Sequence, residues 1–502
     1  MEYPRHSSFN APLRLRPIAL FCAIALAASG CANYSGIGST MQQRNVDSFE
    51  TAQAFKGETA AWPQQQWWKE LQDPQLDALI DTALEHSPTI EDAISRLHLA
   101  DAYAGSARAG LYPQVNASFD SQYQRFTENG MIPQPLAGSF ESNNTLQLNF
   151  SYELDLWGKH RNALKSAVSL QNAARADHEK TKLVLTSAIA KAYIELDRQY
   201  ALRDVIAKTL EQRDAIYKLT QQRVDSGLDG RAELKQAESQ LPALRGQLAQ
   251  IDESIGAARN QLAALVGAGP DRGLAIERPQ MGATIDNVVR LPQNLPVDLL
   301  GRRPDIVAAR WLVEAAERDV DVGKADFYPN IDLTAFAGFS SLGLDNLTRS
   351  GSHIYGGGPA ISLPIFDAGK LRSQLKLKYS EYESAVAYYD KTLTDALHET
   401  ADQINALRWL EVRQREQRAA LAVARDALDL TTQRYQAGLS NYVGVLTAET
   451  TVLAQEQLGA ELTARALDLH VNLIKALGGG YDAATAATLD NHMASTRAPV
   501  AQ

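Results

Sequence analysis

None of the side chains able to act as nucleophile, proton carrier or metal ligand stands in a spacing that such chemistry requires. Nine histidines are scattered along the 502 residues. No HExxH pair, P-loop, GxSxG elbow or Cys/His cluster accompanies them, so nothing is set up for metal-assisted hydrolysis, acyl transfer or nucleotide binding. Gly356-Gly357-Gly358 and Gly478-Gly479-Gly480 lack the Lys-Ser/Thr follower of a phosphate cradle and read as a loop and a helix end. Five methionines, the initiator included, form no soft-ligand path for copper. The expectation is a protein that is not an enzyme and holds no cofactor or metal, so energy for any transport must come from another subunit. Lys and Arg number 49 against 59 Asp and Glu, a balance of 49 − 59 = −10. That acidity argues against nucleic acid as a partner, because phosphate recognition needs clustered cations.

One reactive group does have a defined neighbourhood, the thiol of Cys31. Arg14 and Arg16 precede an apolar stretch at 18–28, followed by Ser29-Gly30-Cys31. This is the layout of an export signal over residues 1–30. Ala28-Ser29-Gly30-Cys31 resembles a bacterial lipobox, whose cysteine becomes the acylated first residue of the mature chain; Ala28 stands where Leu is usual. The other reading is ordinary cleavage, with Cys31 as a spare thiol. Cys22 lies inside the signal, so the mature chain is expected to form no disulfide. Acylation at Cys31 would hold the N-terminus in outer-membrane lipid, at about 0.8 kcal/mol per buried CH₂.

The elements carrying these groups come from a duplicated pattern. Residues 88–115 align without a gap on 304–331, an offset of 304 − 88 = 216 that superposes Tyr112-Pro113 on Tyr328-Pro329. Further on, Gly158-Lys159 and Gly369-Lys370, Gln222-Arg223 and Gln433-Arg434, and Gly267 and Gly478 are related by an offset of 211. The chain is therefore read as a signal (1–30), a lipidated linker with a short helix (31–87), a first repeat (88–270), a linker (271–303), a second repeat (304–480) and a tail (481–502).

Each repeat carries strands and then helices. Leu146, Leu148, Phe150, Tyr152, Leu154 and Leu156 alternate with polar residues, and Val115, Ala117 and Phe119 do the same. Ile331 to Phe339, and Ile361, Leu363 and Ile365, supply weaker versions. Four strands in two hairpins follow, with loops at 127–144 and 340–358. Proline-free tracts rich in Ala, Leu, Gln and Glu then predict helices over 159–224 and 370–435, each roughly 100 Å long at 1.5 Å per residue. Gly227 and Gly438 end them, and helices return over 231–266 and 442–477, the first bent at Pro242.

Alternating strands in an exported, lipidated chain fit a membrane barrel, because lipid admits only helices or closed sheets. Four strands cannot close one, since small barrels need about eight, so several chains must each contribute a wall segment. A soluble sheet with a solid coiled-coil spacer is the alternative on periodicity alone.

Trp67-Trp68 with Asp73-Pro74-Gln75-Leu76, the run from Arg302 to Ile306, Leu363-Pro364-Ile365-Phe366-Asp367 with Gly369-Lys370, and the run from Ala476 to Gly480 occur in the right order on this duplicated chain. Together they resemble the TolC-type outer-membrane efflux protein family, closest to its OprM/NodT-like lipoprotein branch. The resemblance spans roughly residues 60–480. It implies an α+β membrane protein assembled as a homotrimer, with a twelve-stranded β-barrel continued by a twelve-helix periplasmic α-barrel whose far end closes as an iris. It further implies a periplasmic adaptor (membrane fusion protein) and an inner-membrane pump as partners, and passive conduction of drugs or other toxic small molecules. A type I protein-secretion duct and a non-conducting spacer or adhesin are the competing readings.

For the iris, the family's two constriction aspartates fall on Gly444 and Thr447, so a paired-Asp constriction does not carry over. Glu233 holds the equivalent place in the first copy, with Asp225 and Asp229 nearby; a solvated acidic turn is the other reading of the same residues. Tyr435 and Ser440 match positions that tie neighbouring helices, and Glu233 is expected beside them. Gly227-Leu228 and Gly438-Leu439 resemble the adaptor-docking turns; simple helix capping by glycine is the plainer reading of the same residues.

Overall fold

The computed structural model describes residues 34–282, 290–292 and 295–484. Cys31 and the export signal lie outside the described residues. A two-residue strand β1 (Glu58–Thr59) opens the regular structure, followed by α1 (Pro74–His86), α2 (Pro88–Ala109), β2 (Gln114–Arg125), β3 (Phe140–Glu153), α3 (Lys159–Asp225) and α4 (Arg231–Leu265). After the short α5 (Pro270–Leu274), β4 (Arg290–Leu291) and α6 (Leu295–Arg302), the order recurs as α7 (Pro304–Ala325), β5 (Asn330–Leu342), β6 (His353–Ser362), α8 (Lys370–Gln436) and α9 (Tyr442–Ala476). Corresponding helices match in length: 22 residues in α2 and α7, 67 in α3 and α8, 35 in α4 and α9. α4 continues through Pro242 as one helix. Among the described residues no helix is long and apolar enough to cross a membrane.

The chain divides into two compact units, each drawn from both halves of the sequence. Of the described residues, the first comprises 34–42, 99–172 and 311–387. Its centre is an antiparallel sheet in the order β2-β3-β5-β6. The register pairs Ala117 with Leu148 and Leu148 with Ala337, and Phe119 with Leu146 and Leu146 with Phe339, so one face is apolar across three strands. The other face carries Asn116, Ser118, Gln147 and Asn149, joined by Asn149 Nδ2 donating to Ser118 Oγ at 3.2 Å. Apolar side chains on the first face stay exposed, Val115 by 63% and Leu148 by 55%.

The strands end where the alternation did not predict. β3 starts at Phe140, within the expected loop, and stops at Glu153, which leaves Leu154 and Leu156 beyond it. β6 occupies 353–362, so only Ile361 of its three expected residues is in a strand. The physical reason is Gly356-Gly357-Gly358, which shows no alternation because it has no side chains. A Cβ at Gly356 would lie 2.9 Å from the ring of Phe336, so the missing side chain makes room for the aromatic on the paired strand. Asp155 and Asp367 then start the long helices. Asp155 accepts from the backbone N–H of His160 and Arg161, and Asp367 from those of Gly369 and Leu371.

Of the described residues, the second unit comprises 43–98, 173–282, 290–292, 295–310 and 388–484. Trp67 and Trp68 meet edge to face, with ring centroids 5.9 Å apart. Trp67, Leu76, Leu79 and Ile80 are buried with Ile189, Tyr193 and Leu196 of α3, Leu262 of α4 and Val471 of α9. Asp73 is the N-cap of α1 and also accepts from Tyr193 Oη at 2.8 Å and from the backbone N–H of Gln280 at 2.7 Å. The Asp-Pro-Gln-Leu motif is thus a structural lock. Arg303 is another, spanning Asp305, Glu399 and the carbonyl of Ala476 at the end of α9.

Candidate functional site at the helix tips

Two five-residue turns join the long helices to their partners, 226–230 between α3 and α4 and 437–441 between α8 and α9. In the first, the N–H of Gly227 donates to Val224 O and that of Leu228 to Arg223 O; in the second, Gly438 donates to Tyr435 O and Leu439 to Arg434 O. This is the helix stop in which a left-handed residue satisfies the last carbonyls. Gly227 and Gly438 supply that residue, with φ of 73° and 76°. Leu228 and Leu439 sit just beyond them, 66% and 71% exposed.

Beside these turns Tyr435 of α8 is fully buried, and its phenol joins the two halves of the chain. Its hydroxyl lies 2.9 Å from Thr220 Oγ1 on α3 and donates to Asp229 Oδ2 at 2.7 Å. Arg223, also on α3, completes the cluster. It binds both oxygens of Asp229 at 2.8 and 3.1 Å, donates to the backbone carbonyl of Tyr435 at 3.0 Å, and holds its guanidinium 4.6 Å from the centre of the Tyr435 ring. Those bonds hold the Asp229 carboxyl below its usual range, the Arg223 bond being the largest cause and Tyr435 a further one. The Tyr435 phenol is raised, first by burial and further by the neighbouring Asp229.

The residues singled out from the sequence fall around this cluster unevenly. Tyr435 ties helices as expected, but its carboxylate partner is Asp229, not Glu233. Glu233 lies in the first turn of α4, half-buried, with its carboxylate folded back against Gly230. Ser440 is close in sequence, yet its hydroxyl oxygen is buried without a hydrogen-bond partner. Gly444 and Thr447 lie on the first turns of α9: the Gly444 N–H donates to the Asn441 cap, and the exposed Thr447 hydroxyl donates to the carbonyl of Val443. Sequence reasoning passed over Arg223 and Thr220. A left-handed turn brings residues six apart side by side, so Arg223 and Asp229 flanking Gly227 were the available signal.

Among the described residues no group of three or more His, Cys, Asp or Glu could hold a metal ion. What the tips contain is a polar tie between two helical hairpins.

The family model for outer membrane efflux proteins matches residues 79–268 and 295–479. The chain belongs to that family. Outer membrane efflux proteins are transport channels of the bacterial outer membrane. The multidrug resistance outer membrane protein MdtP of Shigella flexneri is 32% identical over 470 residues, which cover 91% of this chain and 94% of MdtP. The fusaric acid resistance protein FusA of Burkholderia cepacia is 39% identical over 358 residues, 70% of this chain and 67% of FusA. Among solved structures, the outer membrane protein VceC of Vibrio cholerae aligns with a TM-score of 0.78 at 38% identity, covering 84% of this chain and all of that one. The channel fold, the outer-membrane location and the efflux role of the family thus apply to this chain.

Proposed function

We propose that three copies of this chain form one duct that carries small toxic compounds out of the cell, and that the helix tips are its gate. The sheet supports the trimer. Its outer strands β2 and β6 have no partner on their free edges among the described residues, and one face is apolar and exposed. Joining free edges among three copies gives twelve strands, enough to close a barrel and to remove every edge. Acylation of Cys31 would add a lipid anchor at the start of the mature chain. Gly227-Leu228 and Gly438-Leu439 offer a periplasmic adaptor exposed apolar tips with little side-chain bulk beside them, and an inner-membrane pump supplies the energy.

The observation that carries the gate is the buried Tyr435 phenol, bonded to Thr220 and Asp229 of the other half. While these bonds hold, the two hairpins of one chain stay together; breaking them frees the second hairpin to swing. The relatives named for multidrug and fusaric acid resistance favour small molecules over secreted proteins as cargo. Planar-bilayer recordings of the purified full chain test the reading. A resting conductance that rises in Tyr435→Phe supports it, and an unchanged conductance overturns it. Loss of drug resistance in a deletion strain, with protein secretion intact, tests the cargo.

A further inference from the structure

Away from the latch the same helices are joined by a second polar contact of a different kind. Arg213 on α3 and Glu449 on α9 face each other with only 6% and 5% of their side chains exposed. Their closest approach, Nε to Oε2, is 3.5 Å, and neither of these two atoms makes a hydrogen bond. Arg213 is held through its other nitrogens, Nη1 donating to Gln240 Oε1 on α4 at 2.7 Å and Nη2 to Thr450 Oγ1 on α9 at 3.5 Å. Further along the seam, seven residues on from Glu449, Glu456 on α9 is bound by Arg425 of α8 at 2.6 Å and lies 3.9 Å from Lys208 of α3.

Removing two charges from water costs several kcal/mol per ion, and their attraction repays this only when the remaining polar atoms are also satisfied. In the Arg213–Glu449 pair the two facing atoms, Nε and Oε2, are buried and are not. The pair therefore holds the hairpins together less well than an apolar contact of the same volume, and loss of Arg213 alone is worse still, because the carboxylate stays buried; Arg213 without Glu449 keeps its bonds to Gln240 and Thr450.

We propose that Arg213 and Glu449 are a release element: an incompletely satisfied buried ion pair that keeps the closed tip from being too stable to open. The inference rests on reading the tip as a gate. The latch at Tyr435 supplies the closing bonds, and the pair at Arg213 weakens the same seam so that the gate remains reversible. The Glu449 carboxyl fits this: its burial outweighs the attraction of Arg213 and raises its pKa, so ionisation is harder in the closed seam than in water.

The test is single-channel recording of the full chain, with Tyr435→Phe as the control for the gate. The double variant Arg213→Met with Glu449→Leu is expected to lower open probability at least tenfold. Arg213→Met alone, which strands the carboxylate, is expected to raise it. Glu449→Gln keeps the shape of the site without the anion and is expected to move in the direction of the double variant by a smaller factor, which provides a reading should the double variant assemble poorly. A double variant or a Gln variant that opens more readily than the parent overturns the proposal, because the pair would then be cement. If Tyr435→Phe leaves conductance unchanged, the gate reading fails and takes this inference with it. If Tyr435→Phe opens the channel while the apolar pair does not close it, only the inference fails.

Discussion

Replacing Asp229 with Ala removes the acceptor of three bonds at once: two from Arg223 at 2.8 and 3.1 Å and one from Tyr435 at 2.7 Å. Hydrogen bonds to charged groups contribute about 1.5–3 kcal/mol each, but the three share one carboxylate and are not additive. Side-chain exposures of 11% for Arg223 and 10% for Asp229 place the pair between the surface and buried limits. Exposed pairs contribute about 0–1 kcal/mol, and breaking a buried one costs about 3–5. Arg223 and Asp229 belong to the same hairpin, however, so their pair is made whether the tip is open or closed; the Tyr435 bond is the one that crosses to the other hairpin, and its loss costs the closed arrangement of each chain about 1.5–3 kcal/mol. At 1.36 kcal/mol per tenfold, this is roughly a 10- to 160-fold shift of each chain toward the open arrangement. Planar-bilayer recordings of Asp229→Ala beside the parent read it as longer and larger openings. Tyr435→Phe loses the same crossing bond and the contact with Thr220 as well, and should shift at least as far. A change below about threefold in Asp229→Ala, in a channel that assembles normally, would refute the idea that these bonds hold the tip shut.

Other consequences can be checked away from the tip. Asp73→Ala removes the α1 cap, worth about 0.5–2 kcal/mol, and leaves the Tyr193 hydroxyl and the Gln280 N–H without their acceptor, so the denaturation midpoint should fall clearly while single-channel conductance of the folded protein is kept. Gly338→Ala would place a Cβ 2.1 Å from the Leu146 carbonyl oxygen across the β3/β5 ladder; folded channel in outer-membrane fractions should drop sharply, and normal yield would contradict the register. Conductance should also depend on pH with two opposite signs. The raised pKa of Glu449, which faces Arg213 and lies near Tyr442, means that the closed seam takes up the proton more readily, so its extra stability is present at low pH and lost as pH rises through that pKa. Acidification from neutrality should therefore first favour closing. The lowered pKa of Asp229 means the reverse: its contribution is complete above the ordinary aspartate pKa, about 3.9, and is lost only as pH falls through the lowered value. Stronger acid should then open the tip, and a single monotonic profile would count against one of the two assignments.

The helices were legible in the sequence nearly to the residue, with 159–224 expected and Lys159–Asp225 found, and 442–477 expected against Tyr442–Ala476. Long runs of good helix formers bounded by a capping aspartate and a stop glycine leave little choice of boundary. The strands were less legible, because alternation is informative only where both classes of side chain are present. The β6 segment replaces three of them with glycine and lets Phe336 of β5 fill the space. At the tip, Tyr435 could be found by resemblance, while its partner could not. Glu233 was the nearest carboxylate at the equivalent aligned position, but once the helix has started its side chain turns back on Gly230. Asp229, still in the turn, is free to face Arg223 and Tyr435.

What makes the latch informative is that the duplicated halves do not duplicate it. The offset of 211 places Tyr435 on Val224, Asp229 on Ser440, Arg213 on Ala424 and Glu449 on Glu238. Val224 has no hydroxyl to bond with, and Ser440 has no charge to hold Arg434. Glu238 pairs instead with the exposed Lys235 one turn away. Each half therefore keeps the same helices and turn but supplies only one side of the contact. Within a hairpin, a five-residue turn tethers the helices covalently, so they move together. Between hairpins at the tip, the tie is made from the Tyr435 phenol, the bond from Arg223 to the Tyr435 carbonyl, and a few apolar side chains around Ala237, Tyr442 and Val445. A duplication with identical tips would meet itself as Val against Val or Tyr against Tyr, with no carboxylate placed for the phenol. In the proposed gate, the asymmetry of the tips is thus what allows a closed state to be selectively stabilised, and it puts the movable boundary between the halves and not within either of them.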